Sequence, residues 1–252
     1  MSPLEIAAIL GAGLAAGTIN TIVGSGSLIT FPTLLAFGYS PIVANVSNTV
    51  GLVPGSVSGA FGYKRELAGQ GQRALWLGVS SAAGGLTGAV LLLAFPGAFA
   101  AIVPVLIAIA LVLVAIGPRL SKALAEHRHA DSHRSLALGA LFYATAIYGG
   151  YFGAGISIIM LSALGILGMT DILEMNALTS LLSLCINGVA IVFFVLAHLV
   201  YWPFVLAMAC GALLGGYGAA GVARRVGRTA VRRFVIAVGF TLAAVFFFRT
   251  WR

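Results

Sequence analysis

Residues 23–32 read Val23-Gly24-Ser25-Gly26-Ser27-Leu28-Ile29-Thr30-Phe31-Pro32, a polar glycine-flanked break inside an apolar run. The run before it, Leu4–Val23, is long enough to span a bilayer. About 20 apolar residues cross a hydrocarbon core of ~30 Å at ~1.5 Å per residue. In lipid every backbone amide and carbonyl needs a partner. A broken helix at membrane depth is therefore tolerated only when packed in protein or facing a wet cavity. The stretch predicts a spanning helix that ends at Gly24, a loop, and a short second helix over Ser27–Phe37.

The rest of the chain agrees with a lipid solvent. Of 252 residues, 60% are hydrophobic and 8% charged, whereas a soluble domain carries about 25% charged residues. There is no polar coat for a water-facing surface, which excludes a soluble enzyme. The 33 glycines suit close helix contact in a membrane. Long apolar segments are expected at Leu4–Val23, Pro41–Tyr63, Ala74–Phe95, Ala98–Gly117, Leu136–Phe152, Glu174–Ala197, Tyr201–Ala223 and Phe234–Thr250. Two short ones follow glycine pairs, Ser27–Phe37 and Ile156–Gly168. The first segment carries Glu5 and lacks a basic start, so it reads as a retained span, not a cleaved signal peptide. The expected fold class is all-α, a polytopic transmembrane bundle of two repeats, each with a half-helix after a Gly-x-Gly loop.

Charge placement orients the segments. Basic residues cluster in three breaks: Lys64, Arg65 and Arg73; Arg119, Lys122, Arg128 and Arg134; Arg224, Arg225, Arg228, Arg232 and Arg233. Cytoplasmic loops carry such an excess, and nucleic acid is not an expected partner. If the short segments do not cross, the third break lies opposite the first two. If both cross, all three share one side. The second count gives five plus five segments, and an odd number per half inverts one half relative to the other, a plan common among secondary transporters. The expected organisation is an N-terminal repeat over 1–120, a basic cytoplasmic linker over 121–134 and a C-terminal repeat over 135–252.

The halves resemble each other. Gly24 and Gly26 match Gly153 and Gly155, and Asn45 matches Asn176 after a two-residue gap. Ser47, Asn48 and Thr49 fall near Leu178, Thr179 and Ser180. Each half thus repeats a glycine pair, a short apolar run, a turn and an Asn expected to open a long helix.

A helix start points unpaired amides outward, and its dipole favours negative charge. Two such starts facing one pocket form an anion cradle without any buried Lys or Arg. The expected substrate-binding residues are Gly24, Ser25, Gly26, Ser27, Asn45, Asn48, Gly153, Ala154, Gly155, Asn176, Thr179 and Ser180. Against this stand plainer roles. The glycines can be helix contacts, Asn45 and Asn176 caps, and the Ser and Thr hydroxyls partners of their own backbone. Gly11, Gly13, Gly17 and Gly84, Gly85, Gly88 read as packing faces, and Pro32 and Pro54 as kinks. Cys185 and Cys210 read as buried free thiols. His127, His129, His133 and Asp131 read as a solvated loop in preference to a metal site, and Asp171 and Glu174 as acids at a helix start. No catalytic residue, metal or cofactor is expected. A membrane serine protease would need a mid-segment His, and a dinucleotide fingerprint a third glycine.

The Gly24/Gly26 unit with Pro32, the Ala-Asn-x-Ser-Asn stretch Ala44–Asn48, the Gly62–Arg65 ending and the second Gly-x-Gly unit with its later Asn resemble the sulfite exporter TauE/SafE family. The resemblance spans nearly the whole chain. Ser25 and Ser27 interrupt the family's fuller G-x-G-G-G pattern, and Ala154, Ile156 and Ser157 the second. The resemblance implies a multi-pass transporter of the bacterial inner membrane for small sulfur-containing anions such as sulfite, thiosulfate or organosulfonates. Without a nucleotide motif, a proton, another ion or a substrate gradient would supply energy. A non-transporting scaffold and a passive anion channel are the competing readings. The oligomeric state is left open, a homodimer included.

Overall fold

The computed structural model describes residues 3–23, 25–126, 134–226, 230, 233–238 and 240–241. Its elements are α1 (Pro3–Val23), α2 (Ser27–Ala36), α3 (Pro41–Gly62), α4 (Gly71–Ala94), α5 (Pro96–Glu126), α6 (Arg134–Tyr151), α7 (Ile156–Ile166), α8 (Ile172–Leu196) and α9 (Trp202–Val226). Among the described residues there is no strand. Residues 234–238 and 240–241 of the last expected segment are helical, and the rest of it lies outside the described residues.

Among the described residues, four stretches are long and apolar enough to cross a membrane: Pro3–Asn20, Gly71–Ala94, Pro96–Gly117 and Ile172–Leu196. By contrast α2 and α7 have 10 and 11 residues. At ~1.5 Å per residue each covers about half of a ~30 Å core. α5 continues past Gly117, through Arg119 and Lys122, and α9 carries Arg224 and Arg225. Apolar patterning stops at the membrane edge there, while the helix-favouring Leu, Lys, Ala and Glu of 120–126 keep the backbone helical. His127, His129, Asp131 and His133 lie outside the described residues.

The half-helices end alike. Gly38 has φ 85° and Gly168 φ 85°, the left-handed conformation in which a side chain is disfavoured. The Gly38 amide donates to Leu35 O and that of Tyr39 to Leu34 O; the Gly168 amide donates to Gly165 O and that of Met169 to Leu164 O. These are glycine-terminated helix ends whose last carbonyls are satisfied by the reversing chain.

Small residues set the closest helix pairs. On α1, a side chain at Gly13 or Gly17 would strike Met208 or Ala212 of α9; one at Gly211 or Gly215 of α9 would strike Leu10 or Leu14. Both numbers rise together, so α1 and α9 run parallel. On α4, Gly84 lies against Tyr143 and Gly88 against Ile147 of α6, again in parallel register, and Gly85 abuts Ile186 of α8. Apolar surfaces do not drive helices together in lipid, and close backbone packing replaces that force. The expected packing faces are borne out except at Gly11, which faces open space. Cys185 is half-buried and Cys210 exposed on α9, both as free thiols. Cys210 was expected to be buried; it lies exposed in a groove that Ile6 and Leu10 of α1 also line.

Helix ends gather in two places. Tyr39, just after α2, packs its ring 5.8 Å from Tyr201 and 4.2 Å from Phe204 at the start of α9. The Tyr201 amide donates to Ser47 Oγ near the start of α3, at 2.9 Å. Ile6 and Leu10 of α1 line one groove with Tyr201 and Pro203. So α1, α3 and α9 start where α2 finishes. At the other end Leu67, Ala74 and Leu77 share a core with Leu164 and Leu167 at the end of α7 and with Met169 and Met175 at the start of α8. There α4 and α8 start where α7 finishes. Lys64, Arg65 and Arg73 are exposed at this end, and α5 and α9 also finish there.

The helix pairs do not follow the boundary between the sequence halves. α1 and α3 pack on α9, and α6 and α8 pack on α4; α3 and α8 meet across the centre. Exchanging α1, α2, α3 and α4 with α6, α7, α8 and α9 reproduces these pairs. One hydrophobic core is drawn from α4, α6, α7 and α8. The other joins α1, α2, α3, α5 and α9 with Phe152, Ala154, Ile158 of α7, Val235 and the far ends of α4 and α8.

Candidate functional site

The first loop places Ser25 and Gly26 before α2. Gly24 lies outside the described residues. Gly26 is helical, with φ −57° and ψ −35°, and sits against Ala16 O of α1. Gly155 has φ 78° and ψ 2°. The two loops share a sequence pattern but not a backbone: in one a glycine permits close approach, in the other it permits a left-handed turn.

A hydrogen-bonded set grows from the first loop. Asn48 donates from Nδ2 to Ser27 Oγ at 3.1 Å, and its Oδ1 accepts from the Thr30 hydroxyl. Thr30 and Asn48 are both buried. The spacing explains this: Thr30 is one turn after Gly26, on the face of α2 turned to α3. One turn earlier on α3, Asn45 donates from Nδ2 to Tyr151 O at 3.0 Å. Tyr151 ends α6, two residues before Gly153. The ring of Phe31 meets that of Phe152 edge-on at 5.2 Å, and Phe99 of α5 meets Tyr151 at 5.3 Å. Thus α2 and α3 of the first half close directly on the second glycine loop.

The second loop is pinned from α6. The Tyr148 hydroxyl donates to Ala154 O at 2.7 Å, Ala154 is buried, and Gly155 lies 3.5 Å from Ala110 O of α5 by its Cβ direction. On α8, Thr179 is buried, and Asn176 and Ser180 are half-buried. Neither Asn opens its helix, as the sequence had suggested. Asn45 and Asn176 both lie on the fifth residue of theirs, and Asp171 caps α8 by accepting from Leu173 N at 2.7 Å. Asp and Asn both reach back to the free amides, and the negative charge of Asp gains in addition from the helix dipole.

Three oxygens of the set are buried without a partner: Ser25 Oγ, Asn45 Oδ1 and Thr179 Oγ1. Such groups are costly to leave unpaired. The segments that carry them hold no cation: no Lys or Arg occurs in residues 1–63, 74–118 or 135–223. Among the described residues no group of His, Cys, Asp and Glu could hold a metal ion. Thr30, Tyr148 and the ring pair Phe31–Phe152 were not anticipated. A signal existed for Thr30, a polar residue inside the α2 apolar run; Tyr148 and Tyr151 belong to a tyrosine-rich stretch with no counterpart in the first half.

Two half-helices starting at glycine loops, bridged by asparagine and closed by aromatic rings, occupy the middle of an apolar helical chain. The sulfite exporter TauE/SafE family matches it over residues 9–246. The chain belongs to that family. Relatives of this TauE/SafE protein span nearly its whole length. A probable membrane transporter protein ORF9 of Sinorhizobium sp is 30% identical over 235 residues, 92% of this chain and 88% of that one. One of Haemophilus influenzae is 25% identical over 240 residues, covering 92% and 90%. The probable membrane transporter protein YfcA of Escherichia coli K12 is 24% identical over 246 residues, covering 97% and 90%. No solved structure matches the chain. This TauE/SafE protein is a multi-pass membrane protein of a transporter family.

Proposed function

We propose that the protein is a secondary transporter, not an enzyme, that carries small anions, sulfur-containing ones among them, by alternating access, in the bacterial inner membrane. The observation that carries this reading is the bond from Asn45 to Tyr151 O, together with the buried oxygens of Asn45 and of Ser25 in the first loop that lack partners. It brings the first half's polar helix onto the second half's glycine loop, where a ligand could complete the hydrogen bonding. The starts of α2 and α7 contribute positive dipole ends.

The halves are inverted in this reading. The parallel register of α1 with α9 and of α4 with α6, together with the gathered helix ends, supports it. α1 and α3 then share a direction, so α2 with its loops returns the chain. All three basic breaks fall at one end, which the positive-inside rule assigns to the cytoplasm. The parts that move are not the sequence halves. They are α1–α3 with α9, and α6–α8 with α4, meeting at α3 and α8. Energy comes from an ion or substrate gradient.

The test is uptake by purified protein in liposomes. Accumulation of labelled sulfite or an organosulfonate against its gradient is expected. Flux that only dissipates a gradient would make it a channel, and no flux of any anion would leave a scaffold.

A further inference from the structure

We propose that the site between the glycine loops takes a singly charged oxyanion that carries a hydrogen-bond donor of its own, and rejects doubly charged oxyanions. This rests on the transport reading above and narrows its substrate class.

The charge argument starts from the sequence. Every Lys and Arg falls in residues 64–73, 119–134 and 224–252. The segments that build the site, 25–48 and 148–180, hold none. What remains for an anion is neutral. Ser25 Oγ and Thr179 Oγ1 are 1% and 5% exposed by residue and have no partner, so their hydroxyls are free to donate. The dipoles of α2 and α7 add to them, while the amides of Leu28, Ile29, Ile156 and Ile158 already donate to the carbonyls of Ser25, Gly26, Gly153 and Gly155. Each helix start is worth roughly half an elementary charge, so two together match about one negative charge. The desolvation cost of an ion grows as the square of its charge, and in a low-dielectric site only a close counter-charge offsets it. A dianion therefore loses about four times as much and finds no guanidinium or ammonium in return.

The second argument concerns one atom. Asn45 is 1% exposed. Its Nδ2 is committed to Tyr151 O, and its Oδ1 is buried without a partner. Oδ1 can only accept. A bare oxyanion oxygen beside it would be repelled, whereas an O–H or N–H of the ligand would satisfy it. The favoured ligand thus presents anionic oxygens to the hydroxyls of Ser25 and Thr179, and a donor to Asn45.

The experiment is uptake by the full protein in liposomes at one neutral pH, with four labelled probes whose charge is constant there. They are 2-hydroxyethanesulfonate (one charge, with a donor), methanesulfonate (one charge, no donor), and sulfate and thiosulfate (two charges). Uptake of 2-hydroxyethanesulfonate is expected to exceed that of methanesulfonate by about tenfold or more, the scale set by leaving a buried acceptor unpaired. Sulfate and thiosulfate should not exceed protein-free liposomes. Either dianion entering as fast as 2-hydroxyethanesulfonate overturns the charge assignment, and equal rates for the two sulfonates overturn the role of Asn45; both leave the transport reading intact. No uptake of any probe or of sulfite defeats the transport reading itself.

Discussion

Asn45 Nδ2 donates to the carbonyl of Tyr151 at 3.0 Å, tying the second turn of α3 to the last residue of α6, 106 positions along the chain. Two buried groups of different halves depend on that amide. Asn45→Leu keeps the branched side-chain skeleton, with bulkier methyl groups, but leaves Tyr151 O unpaired inside the protein, at a cost of about 1–3 kcal/mol. The expected outcome is a lower unfolding temperature in detergent and loss of anion uptake in liposomes. Unchanged values of both would show that the bridge is incidental.

The two glycines before the half-helices should fail for different reasons. Gly26 already has helical dihedrals, but a Cβ there would sit 2.5 Å from Ala16 O. Gly155 has nearly free space around its Cβ direction and a positive φ of 78°. Gly26→Ala therefore meets overpacking, about 1–3 kcal/mol, and Gly26→Asn is worse still. Gly155→Ala meets the left-handed penalty of about 1–2 kcal/mol, and Gly155→Asn recovers part of it because Asn tolerates that region. Thermal unfolding of the four variants checks the ordering: the Asn variant must be the milder one at 155 and the harsher one at 26.

Much of this was legible because lipid imposes a coarse grammar. The run from Leu4 to Val23 and the glycines after it had to mean a helix and a break. The segment ends expected at Pro41, Ile156 and Tyr201 fall within one residue of the helices found. What the sequence could not convey is which helix each glycine touches. Gly13 and Gly17 read as a packing face, yet nothing local names α9, from the other half, as the partner. The site was half legible for the same reason. Asn45 and Asn48 stand out as amides in an apolar helix, but the acceptor of Asn45 is a backbone carbonyl, which carries no side-chain signal. Asp171 and Glu174 read as acids at a helix start, and Asp171 is the cap; the Asn of the repeat, Asn176, lies on the fifth residue of α8 and does not open it.

Tyr148 offers a test of the second loop that leaves its glycines untouched. The hydroxyl donates to Ala154 O at 2.7 Å, inside the core. Tyr148→Phe removes one oxygen and strands a buried carbonyl, with an expected loss of about 1–3 kcal/mol and slower uptake. Tyr143 supplies the control. Its hydroxyl lies 2.9 Å from Thr87 Oγ1 at an exposed position, and Thr87 retains Ala83 O as a partner. Tyr143→Phe should change stability and uptake little. Equal effects of the two substitutions would argue against a pinned loop.

The exchange of helices between halves decides which cross-links the protein can bear. Leu10 of α1 and the native Cys210 of α9 line one groove, so Leu10→Cys with Cys185→Ala allows a short thiol-specific staple between them. Cys185 Sγ of α8 lies 3.7 Å from the Cβ position of Gly78 on α4, so Gly78→Cys with Cys210→Ala allows a second. Each joins residues of different sequence halves but of one packed body. If the bodies that move are α1–α3 with α9 and α6–α8 with α4, both stapled proteins should carry anions at rates close to those of their own reduced forms. A third staple, Phe31→Cys with Phe152→Cys in a background of Cys185→Ala and Cys210→Ala, replaces rings 5.2 Å apart and joins one body to the other. It should stop uptake and release it on reduction. If the first two staples stop uptake instead, the sequence halves are the moving parts and the exchanged packing is only architectural.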